Sequence, residues 1–236
     1  MYITNFHAIE ERIKSERGAV ALLVAKAGPR ARAIIDLSIK EKIRVERTGV
    51  HELNRLAGDN RGIALEVHNS NDAKAGFEEL LDGLEGRETA LVVILDEVTD
   101  PHNYGAILRS CDQFGVDFVV SRSKRIANQT DVVAHSSAGA SAWVQLAQVP
   151  NLPRAIEQLK EAGFWVYGAD MSGETAFKKK LNGRVAVVLG GEAGLSRLLC
   201  ESCDALISIP SLGHVDSLNV SCAAAVLLYE IIRQRD

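Results

Sequence analysis

The stretch LVVILDEVTDPHNYGAILRSCDQFGVDFVV, residues 91–120, decides the fold of this chain. It opens on LVVIL and closes on VDFVV, and continuous apolar runs of this length are typical of strands buried on both faces of a sheet. Pro101 interrupts the first run, and apolar residues then recur at the spacing of one helix face. These helix positions are Ile107, Leu108, Cys111 and Phe114. A strand, a helix and a second strand in this order predict a parallel sheet with helical crossovers.

Three later apolar runs extend the same pattern: FWVYG at 164–168, VAVVLG at 185–190 and ALISIP at 205–210. The predicted fold class is therefore α/β, with a parallel sheet in the C-terminal part of the chain. Ligands of such sheets bind beyond the carboxyl ends of the strands. The loops that follow LVVIL, VAVVL and ALISI are therefore where we expect the chemistry.

The first seventy residues alternate helix-like and strand-like stretches, which predicts a separate small α/β unit. The segment that follows is rich in glycine and acidic residues and predicts a linker with one short helix. We expect a first domain at 1–70, a linker at 71–90 and a second domain at 91–236.

The first domain holds 12 Lys and Arg against 9 Asp and Glu, and the rest of the chain holds 15 against 22. If the protein binds RNA, the positive first domain is the better candidate, and short basic clusters at 122–125 and 178–180 could add phosphate contacts.

The composition excludes several classes of protein. Hydrophobic residues make up 47% and charged residues 25% of the chain, which excludes a disordered or collagen-like protein. No apolar run approaches the ~18 residues of a membrane span, and acids stand where a signal peptide would be apolar, so we expect a cytoplasmic protein. Four cysteines fit a reducing compartment. Cys200 and Cys203 form a C-x-x-C on one short helix without further ligands at zinc spacing, so we expect no metal.

The loop after LVVIL carries Asn103, Gly105 and Arg109. Asn103 is a residue type favoured as a helix N-cap. Arg109 falls on the helix face opposite the apolar positions, four residues after Gly105. The missing side chain at Gly105 would leave room beside the guanidinium, which an ordinary surface arginine does not need. An arginine that holds a phosphate or a ribose does need that room.

The loop after VAVVL reads LGGEAGLS, residues 189–196. Glycines at the end of a parallel strand let a ligand approach the backbone, which indicates a nucleotide-like cofactor. The spacing is not G-x-G-x-x-G, and no acidic residue ends the next strand, which counts against a nicotinamide-dependent oxidoreductase. Glu192 is either an acid at a helix start, which is the commoner case, or a functional carboxylate.

The third loop leads from Ile209 into the final helix. Ser217 is predicted to cap that helix, whose first residues are small enough for very close packing. Asn219 would fall in its first turn, where asparagine is a weak helix former and needs another reason to be present. His102 and His214 flank these loops, and we interpret both as structural.

Three motifs stand in order along the chain: N-x-G-x-x-x-R after the first strand, L-G-G-E-x-G-L-S, and I-P-x-x-G-x-x-x-S-L-N-V-S before the last helix. Together they resemble the signature motifs of the SpoU/TrmH family of SPOUT RNA methyltransferases. LDEVTDPHNYGAILRS, SSAGA and CDALISIP are similar to the RlmB-type branch, which methylates a guanosine ribose 2′-oxygen in 23S ribosomal RNA. The first seventy residues resemble the small ribosomal-protein-like RNA-binding domain of that branch. The resemblance implies a homodimeric RNA 2′-O-ribose methyltransferase with a deep trefoil knot near its C-terminus.

The resemblance also implies roles for individual residues. Arg109 is the main catalytic residue; because a guanidinium stays protonated in proteins, we interpret it as a clamp on the target phosphate and the developing alkoxide. The RNA phosphate or a carboxylate would then receive the proton. Asn103 would orient the ribose or Arg109, and Glu192 would orient the substrate or help remove the proton. Ser217 and Asn219 would complete the pocket.

The cofactor implied by the resemblance is S-adenosylmethionine, held by loops 189–195 and 209–219. The residues implied in its binding are Leu189, Gly190, Gly191, Gly194, Ile209, Pro210, Ser217, Leu218 and Asn219. Two alternatives stay open: a target in tRNA or at another ribosomal RNA position, and a noncatalytic RNA-binding protein of the same fold. A protein that only binds RNA would be free to lose some of the five polar residues named above.

Overall fold

A computed structural model describes the chain at residues 2–14, 19–58, 60–67, 76–122, 132–133, 136–214 and 217–235. Several predictions fall partly outside these residues. They are the first domain at 15–18, 59 and 68–70, the start of the linker at 71–75, most of the basic cluster at 122–125, and the loop 209–219 at 215–216.

A four-stranded sheet with the order β1-β4-β2-β3 forms the N-terminal part of the structure. Its strands are β1 Tyr2–Ile3, β2 Ala19–Val24, β3 Arg44–Arg47 and β4 Ile63–Val67, and its helices are α1 Phe6–Lys14, α2 Pro29–Lys40 and α3 Val50–Ala57. Helices α1 and α2 bury Ile9, Ile13 and Ile34 on one face, and α3 buries Leu53 on the other. The predicted small α/β unit is confirmed. Strand β1 was not predicted, because two residues are too few to show a period.

A six-stranded sheet with the order β10-β8-β9-β5-β6-β7 forms the C-terminal part, and every neighbouring pair in it is parallel. Its strands are β5 Ala90–Asp96, β6 Phe118–Ser121, β7 Leu146–Gln148, β8 Trp165–Thr175, β9 Arg184–Gly190 and β10 Ala205–Ser208. The parallel sheet predicted from the apolar runs is therefore confirmed. Strand β7 was not predicted, since LAQ is too short and too polar at one end to stand out.

Helices cover both faces of this sheet. They are α4 Phe77–Asp82, α5 Pro101–Gln113, α6 Leu152–Glu161, α7 Arg197–Ser202 and α8 Val220–Arg233. Helices α5 and α8 pack on one face, where Leu108 and Leu227 share a core cluster. Helices α4, α6 and α7 pack on the other face, where Phe77, Ile156 and Leu199 share a second cluster. Burial on both faces explains why the strands are continuous apolar runs.

The two parts of the structure touch through α1 and the segment that follows residue 136. The indole nitrogen of Trp143 donates a hydrogen bond of 2.6 Å to Oε2 of Glu11. Gly139 has a φ of 95°, and a Cβ there would lie 3.3 Å from Cγ of Glu11. The first helix therefore lies against a segment that also packs on α5 at Gly105.

In the part of the chain that the structure describes, no helix is long and apolar enough to cross a membrane. The same residues contain no group of three or more His, Cys, Asp or Glu placed to hold a metal ion. Cys200 lies on α7, but Cys203 is the residue that ends this helix rather than a member of it. Burial raises the pKa of the Cys203 thiol to about 12, so this thiol is protonated at neutral pH.

Candidate functional site

Helix α5 begins at Pro101, and Asp100 is its N-cap. The Asp100 carboxylate accepts hydrogen bonds of 3.2 Å from the backbone amides of His102 and Asn103. The prediction that Asn103 caps this helix is wrong, because Pro101 takes the first helical position, where its fixed φ suits a helix start. Asn103 therefore stands inside the first turn, with its side chain available for another contact.

Asn219, and not Ser217, is the N-cap of α8. Its Oδ1 accepts a hydrogen bond of 2.9 Å from the amide of Ser221, while its Nδ2 donates one of 2.9 Å to Oδ1 of Asn103. The prediction that Ser217 caps the helix is therefore wrong, and Ser217 lies exposed two residues earlier. The hydrogen bond from Asn219 to Asn103 joins the first and third predicted loops, and it supplies the missing reason for an asparagine at 219.

The predicted apolar face of α5 is confirmed at Ile107, Leu108 and Cys111, which are fully buried, whereas Phe114 is only partly buried at the end of the helix. Arg109 is exposed, as its position opposite this face predicts.

Gly105 packs against the segment that begins at Ser136. A Cβ on Gly105 would overlap Oγ of Ser136 and would lie 2.9 Å from the amide nitrogen of Ser137. Oγ of Ser136 also donates a hydrogen bond of 3.1 Å to the carbonyl of Pro101. The room at Gly105 is therefore filled by the side chain of Ser136 and the backbone of Ser137, and the prediction that it opens space beside Arg109 is wrong.

A tight turn at 191–194 follows β9. The amide of Gly191 donates to the carbonyl of Asp96 at 2.9 Å, and the amide of Gly194 donates to the carbonyl of Gly191 at 3.0 Å. A Cβ on Gly190 would overlap the carbonyl carbon of Gly194, and one on Gly191 would lie 2.5 Å from the carbonyl oxygen of Glu97. The protein's own backbone thus requires glycine at 190 and 191, a use that the cofactor interpretation of this loop did not foresee.

Glu192 is exposed at the tip of this turn. Helix α7 begins five residues later, at Arg197, and its N-cap is Ser196. Of the two interpretations of Glu192, the acid at a helix start is therefore wrong. The interpretation of Glu192 as a functional carboxylate stays a prediction.

A cleft of about 720 Å³ lies at the carboxyl ends of β5, β6 and β9. Of the predicted site residues, Asn103, Gly191, Glu192 and Gly194 line it. Asn219 is not a lining residue, but it bonds Asn103 and precedes Val220, which does line the cleft. We call this side, formed by the bonded Asn103 and Asn219 and by the turn at 191–194, the junction wall. The volume lies within the range of about 300–1,000 Å³ that is typical of small-molecule sites.

A second side of the cleft, next to the turn at 191–194, was not predicted. Its members are Asp96, which ends β5, Glu97, which follows β5, and Arg122, which follows β6, and we call it the pair wall. Nη2 of Arg122 lies 3.3 Å from Oε1 of Glu97 and 3.7 Å from Oδ1 of Asp96. Glu97 and Arg122 line the cleft, and Asp96 lies behind them with 4% of its surface exposed.

Burial raises the pKa of the Asp96 carboxyl, although the Arg122 guanidinium and the amide of Ser196 both lower it. Within the described part of the chain, Oδ1 of Asp96 has no hydrogen-bond partner. The signal for this wall was present in the sequence as polar residues directly after LVVIL and directly after VDFVVS. The strand pairing was needed to use it, because Leu95 lies opposite Ser121 and thus brings Asp96 beside Arg122.

Several predicted residues do not line the cleft. Leu189 is buried inside β9, and Gly190 ends this strand. Ile209 is partly buried, whereas Pro210, Leu218 and Ser217 are exposed. Arg109, His102 and His214 are exposed as well, and none of them is among the lining residues.

Loop 209–219 leads from the end of β10 to Asn219, beside the end of β5. Since β8 and β9 lie between β10 and β5, these two strands are roughly 14 Å apart at the usual strand spacing. Leu218 is 53% exposed in this loop. The described ends of the loop therefore lie on either side of β9, the strand that leads into the turn at 191–194.

The sequence matches two family profiles. The SpoU rRNA Methylase family matches residues 90–229, which is more than half of the chain. The chain belongs to the SpoU rRNA methylase family. The second profile, described as RNA 2′-O ribose methyltransferase substrate binding, matches residues 3–73.

Curated relatives of this SpoU protein match over nearly its whole length. One is the 23S rRNA (guanosine-2′-O-)-methyltransferase RlmB of Burkholderia sp, at 39% identity over 98% of this chain and 95% of the relative. Another is an uncharacterized tRNA/rRNA methyltransferase of Borreliella burgdorferi, at 38% identity over 89% of this chain and 96% of the relative.

Solved structures of SpoU enzymes have the same fold. The SpoU methyltransferase AviRb from Streptomyces viridochromogenes superposes with a TM-score of 0.80, at 24% identity, over 100% of this chain and 89% of that one. A second structure of AviRb, in complex with the cofactor AdoMet, gives a TM-score of 0.78 over 99% of this chain and 90% of that one. The α/β architecture predicted from the sequence is therefore that of this family.

Proposed function

We propose that this chain transfers the methyl group of S-adenosylmethionine to the ribose 2′-oxygen of a guanosine in 23S ribosomal RNA. The observation that carries the proposal is the hydrogen bond between Asn219 and Asn103, because it brings the first and third signature loops together beside the turn of the second. The RlmB relative, with 39% identity along almost the whole chain, supports the ribosomal guanosine as the target.

The loops at 191–194 and 209–219 fit an adenosine with an aliphatic chain. Leu218 offers exposed apolar surface, and a Cβ on Gly194 would meet no atom within 4 Å, so the turn is open on that side. The residues that would hold the cofactor are those named from the sequence: Leu189, Gly190, Gly191, Gly194, Ile209, Pro210, Ser217, Leu218 and Asn219. When bound, S-adenosylmethionine supplies an electrophilic methyl group on a sulfonium.

The chain's own residues position the ribose hydroxyl and accommodate its charge. In-line transfer needs the reacting atoms held about 3–3.5 Å apart, and a junction wall fixed by a side-chain hydrogen bond is suited to that task. Asn103 orients the ribose, and Asn219 holds Asn103. Glu192 or an RNA phosphate receives the proton that the 2′-oxygen loses as it gains the methyl group. Arg109 holds the target phosphate and stabilises the developing negative charge.

The segment after β10 forms the trefoil knot of the family. What supports this is the position of the segment's described ends: β10 is separated from β5 by β8 and β9, whereas Asn219 bonds Asn103 just after β5.

The protein acts as a homodimer. Two apolar residues on α8, Val226 at 44% and Tyr229 at 56%, are exposed and would be covered by a second copy. A second copy would also explain why Arg109 lies outside the cleft of its own chain. Light scattering should give twice the 25.5 kDa mass of the chain.

The domains are 1–70 for RNA binding and 91–236 for methyl transfer, joined by the linker 71–90, whose helix α4 packs on the sheet of the second domain. The excess of basic residues in the first domain supports its role toward RNA, and its α1 lies against the segment that packs on α5. The protein works in the cytoplasm, where ribosomal RNA is found.

A map of ribose methylation tests the proposal. Ribosomal and transfer RNA from cells with and without the gene should differ at one 23S guanosine, and purified protein with S-adenosylmethionine should restore the mark. Loss of a mark in tRNA, or at another ribosomal RNA position, would support the alternative target instead. Loss of no mark would favour a noncatalytic RNA-binding protein.

A further inference from the structure

The pair wall takes no part in the methyl transfer described above, yet it lines the same cleft. We propose that Glu97 and Arg122 read the base of the target nucleotide and select guanine. Arg122 donates to O6, and Glu97 accepts from N1–H and from the exocyclic amino group. This inference rests on the proposed function, and it identifies the residues through which that site distinguishes its substrate.

The spacing of the two side chains suits one edge of guanine. Nη2 of Arg122 and Oε1 of Glu97 are 3.3 Å apart, so a donor and an acceptor lie side by side. On guanine, O6 is an acceptor and the neighbouring N1–H is a donor, which is the complementary order. On adenine the same two positions carry an amino donor and an acceptor nitrogen, so both contacts would become repulsive. Uracil matches at its O4 and N3–H, but it presents an oxygen where guanine has the second amino donor.

The charge around Arg122 favours a base over a phosphate. Glu97 and Asp96 lie within 4 Å of its guanidinium, and Glu192 lines the same cleft. A phosphate placed on Arg122 would be repelled by these carboxylates, whereas a neutral base that offers N–H donors would not. The apolar residues Leu95, Val98, Pro150 and Val220 line the cleft as well, and they would contact the faces of a base turned out of the RNA stack.

The backbone fixes Glu97 before any base arrives. Glu97 has a φ of 52°, in the left-handed region that residues other than glycine rarely adopt, which turns the chain sharply at the end of β5. Gly191 makes this turn possible, because a Cβ there would lie 2.5 Å from the carbonyl oxygen of Glu97. Asp96 stands behind Arg122 as a buried counter-charge, 3.7 Å away. The backbone of both residues is therefore held at strand ends, from which the two side chains face the cleft.

The test measures methyl transfer to RNA fragments that carry guanosine, inosine or adenosine at the mapped position. Wild-type protein should prefer guanosine to inosine, which lacks the exocyclic amino group, and should reject adenosine. Glu97→Gln should lower the guanosine-to-adenosine ratio of kcat/KM by about 10–100-fold, since an amide also offers a donor to adenine. Glu97→Gln should also abolish the preference for guanosine over inosine. Arg122→Ala should reduce the preference for guanosine and inosine, which both carry O6, over adenosine, which carries an amino group at that position. A variant that is merely destabilised would slow all three substrates equally.

Glu201→Gln is the matched control, because Glu201 forms an exposed ion pair with Arg197 on α7, away from the residues that line the cleft. Its substrate ratios should equal those of the wild type. Ratios for Glu97→Gln and Arg122→Ala that match this control would overturn the inference, while the proposed function would stand. If either variant fails to fold, equal wild-type rates on guanosine and inosine would overturn it as well. Failure of the wild type to methylate the guanosine fragment would instead refute the proposed function.

Discussion

The two walls of the cleft are built in opposite ways. The junction wall is held by neutral amides that come from positions 116 residues apart in the chain, Asn103 and Asn219. The pair wall consists of charged side chains on adjacent strand ends, where Asp96, Glu97 and Arg122 meet through strand pairing. A neutral, long-range hydrogen bond fixes position without imposing a charge, and a charged pair discriminates between donors and acceptors. The difference suggests that one wall positions the ribose and the other reads the base.

The largest effect is expected at Arg109, which belongs to neither wall. Arg109→Ala should lower methyl transfer by about 10²–10³-fold or more, because it removes the stabilisation of developing negative charge. The affinity for S-adenosylmethionine, measured by calorimetry, should stay within a few-fold, since Arg109 lies outside the cleft. Arg197→Ala, which removes an exposed arginine from α7, is the control. Activity that survives Arg109→Ala on the mapped RNA would contradict the assigned role.

Asn219 offers a way to separate helix capping from the junction. Asn219→Asp keeps an oxygen for the Ser221 amide but loses the amide donor to Asn103, so methyl transfer should fall by about 10-fold or more while stability is retained. Asn219→Ala loses both contacts, and its free energy of unfolding should fall by a further ~1 kcal/mol. Urea unfolding and single-turnover kinetics measure the two effects. Full activity in Asn219→Asp would mean that the junction does not position the ribose.

The sequence predicted the junction wall better than the pair wall, for a physical reason. Glu192 and Asn219 stand in motifs whose order along the chain can be recognised without knowing what they touch. Arg122 was interpreted as part of a basic cluster, because the carboxylates beside it come from another strand. Strand-end neighbours become visible only when the order and register of the sheet are known.

Local capping was the second point at which the sequence was insufficient. Asp100 and Asn103 are both good N-cap residues, and so are Ser217 and Asn219. Asp100 is the N-cap of α5 because Pro101 takes the first helical position. Asn219 is the N-cap of α8, and the same side chain contacts Asn103. The apolar face of α5 depended only on helix periodicity, and it was predicted correctly at Ile107, Leu108 and Cys111.

Gly105→Ala tests whether close packing holds helix α5, which carries Asn103, in place. Gly105→Ala should lower the free energy of unfolding by about 1–3 kcal/mol, because the added Cβ would overlap Ser136. Gly83→Ala is the control, since a Cβ there would make ordinary contacts of 3.5 Å at a negative φ. Adding Ser136→Ala to Gly105→Ala should recover part of the loss. An unchanged unfolding midpoint in Gly105→Ala would mean that the room at 105 is not filled by the segment at 136.

The smallest effect is expected at Asp96, behind the pair wall. Burial raises the pKa of this carboxyl in the folded protein above 3.8, its ordinary value, so the folded state binds more protons than the unfolded state in the pH range between the two values. The contribution of Asp96 to stability therefore falls as the pH rises through that range. Asp96→Asn removes this dependence and keeps an oxygen for the Ser196 amide. Relative to wild type, the variant should gain stability from about pH 4 upward, by less than ~1 kcal/mol because Arg122 offsets part of the burial cost. Urea unfolding of both proteins at several pH values measures the difference in their free energies of unfolding. If the wild type instead becomes more stable than the variant as the pH rises, Arg122 more than compensates for the burial of Asp96.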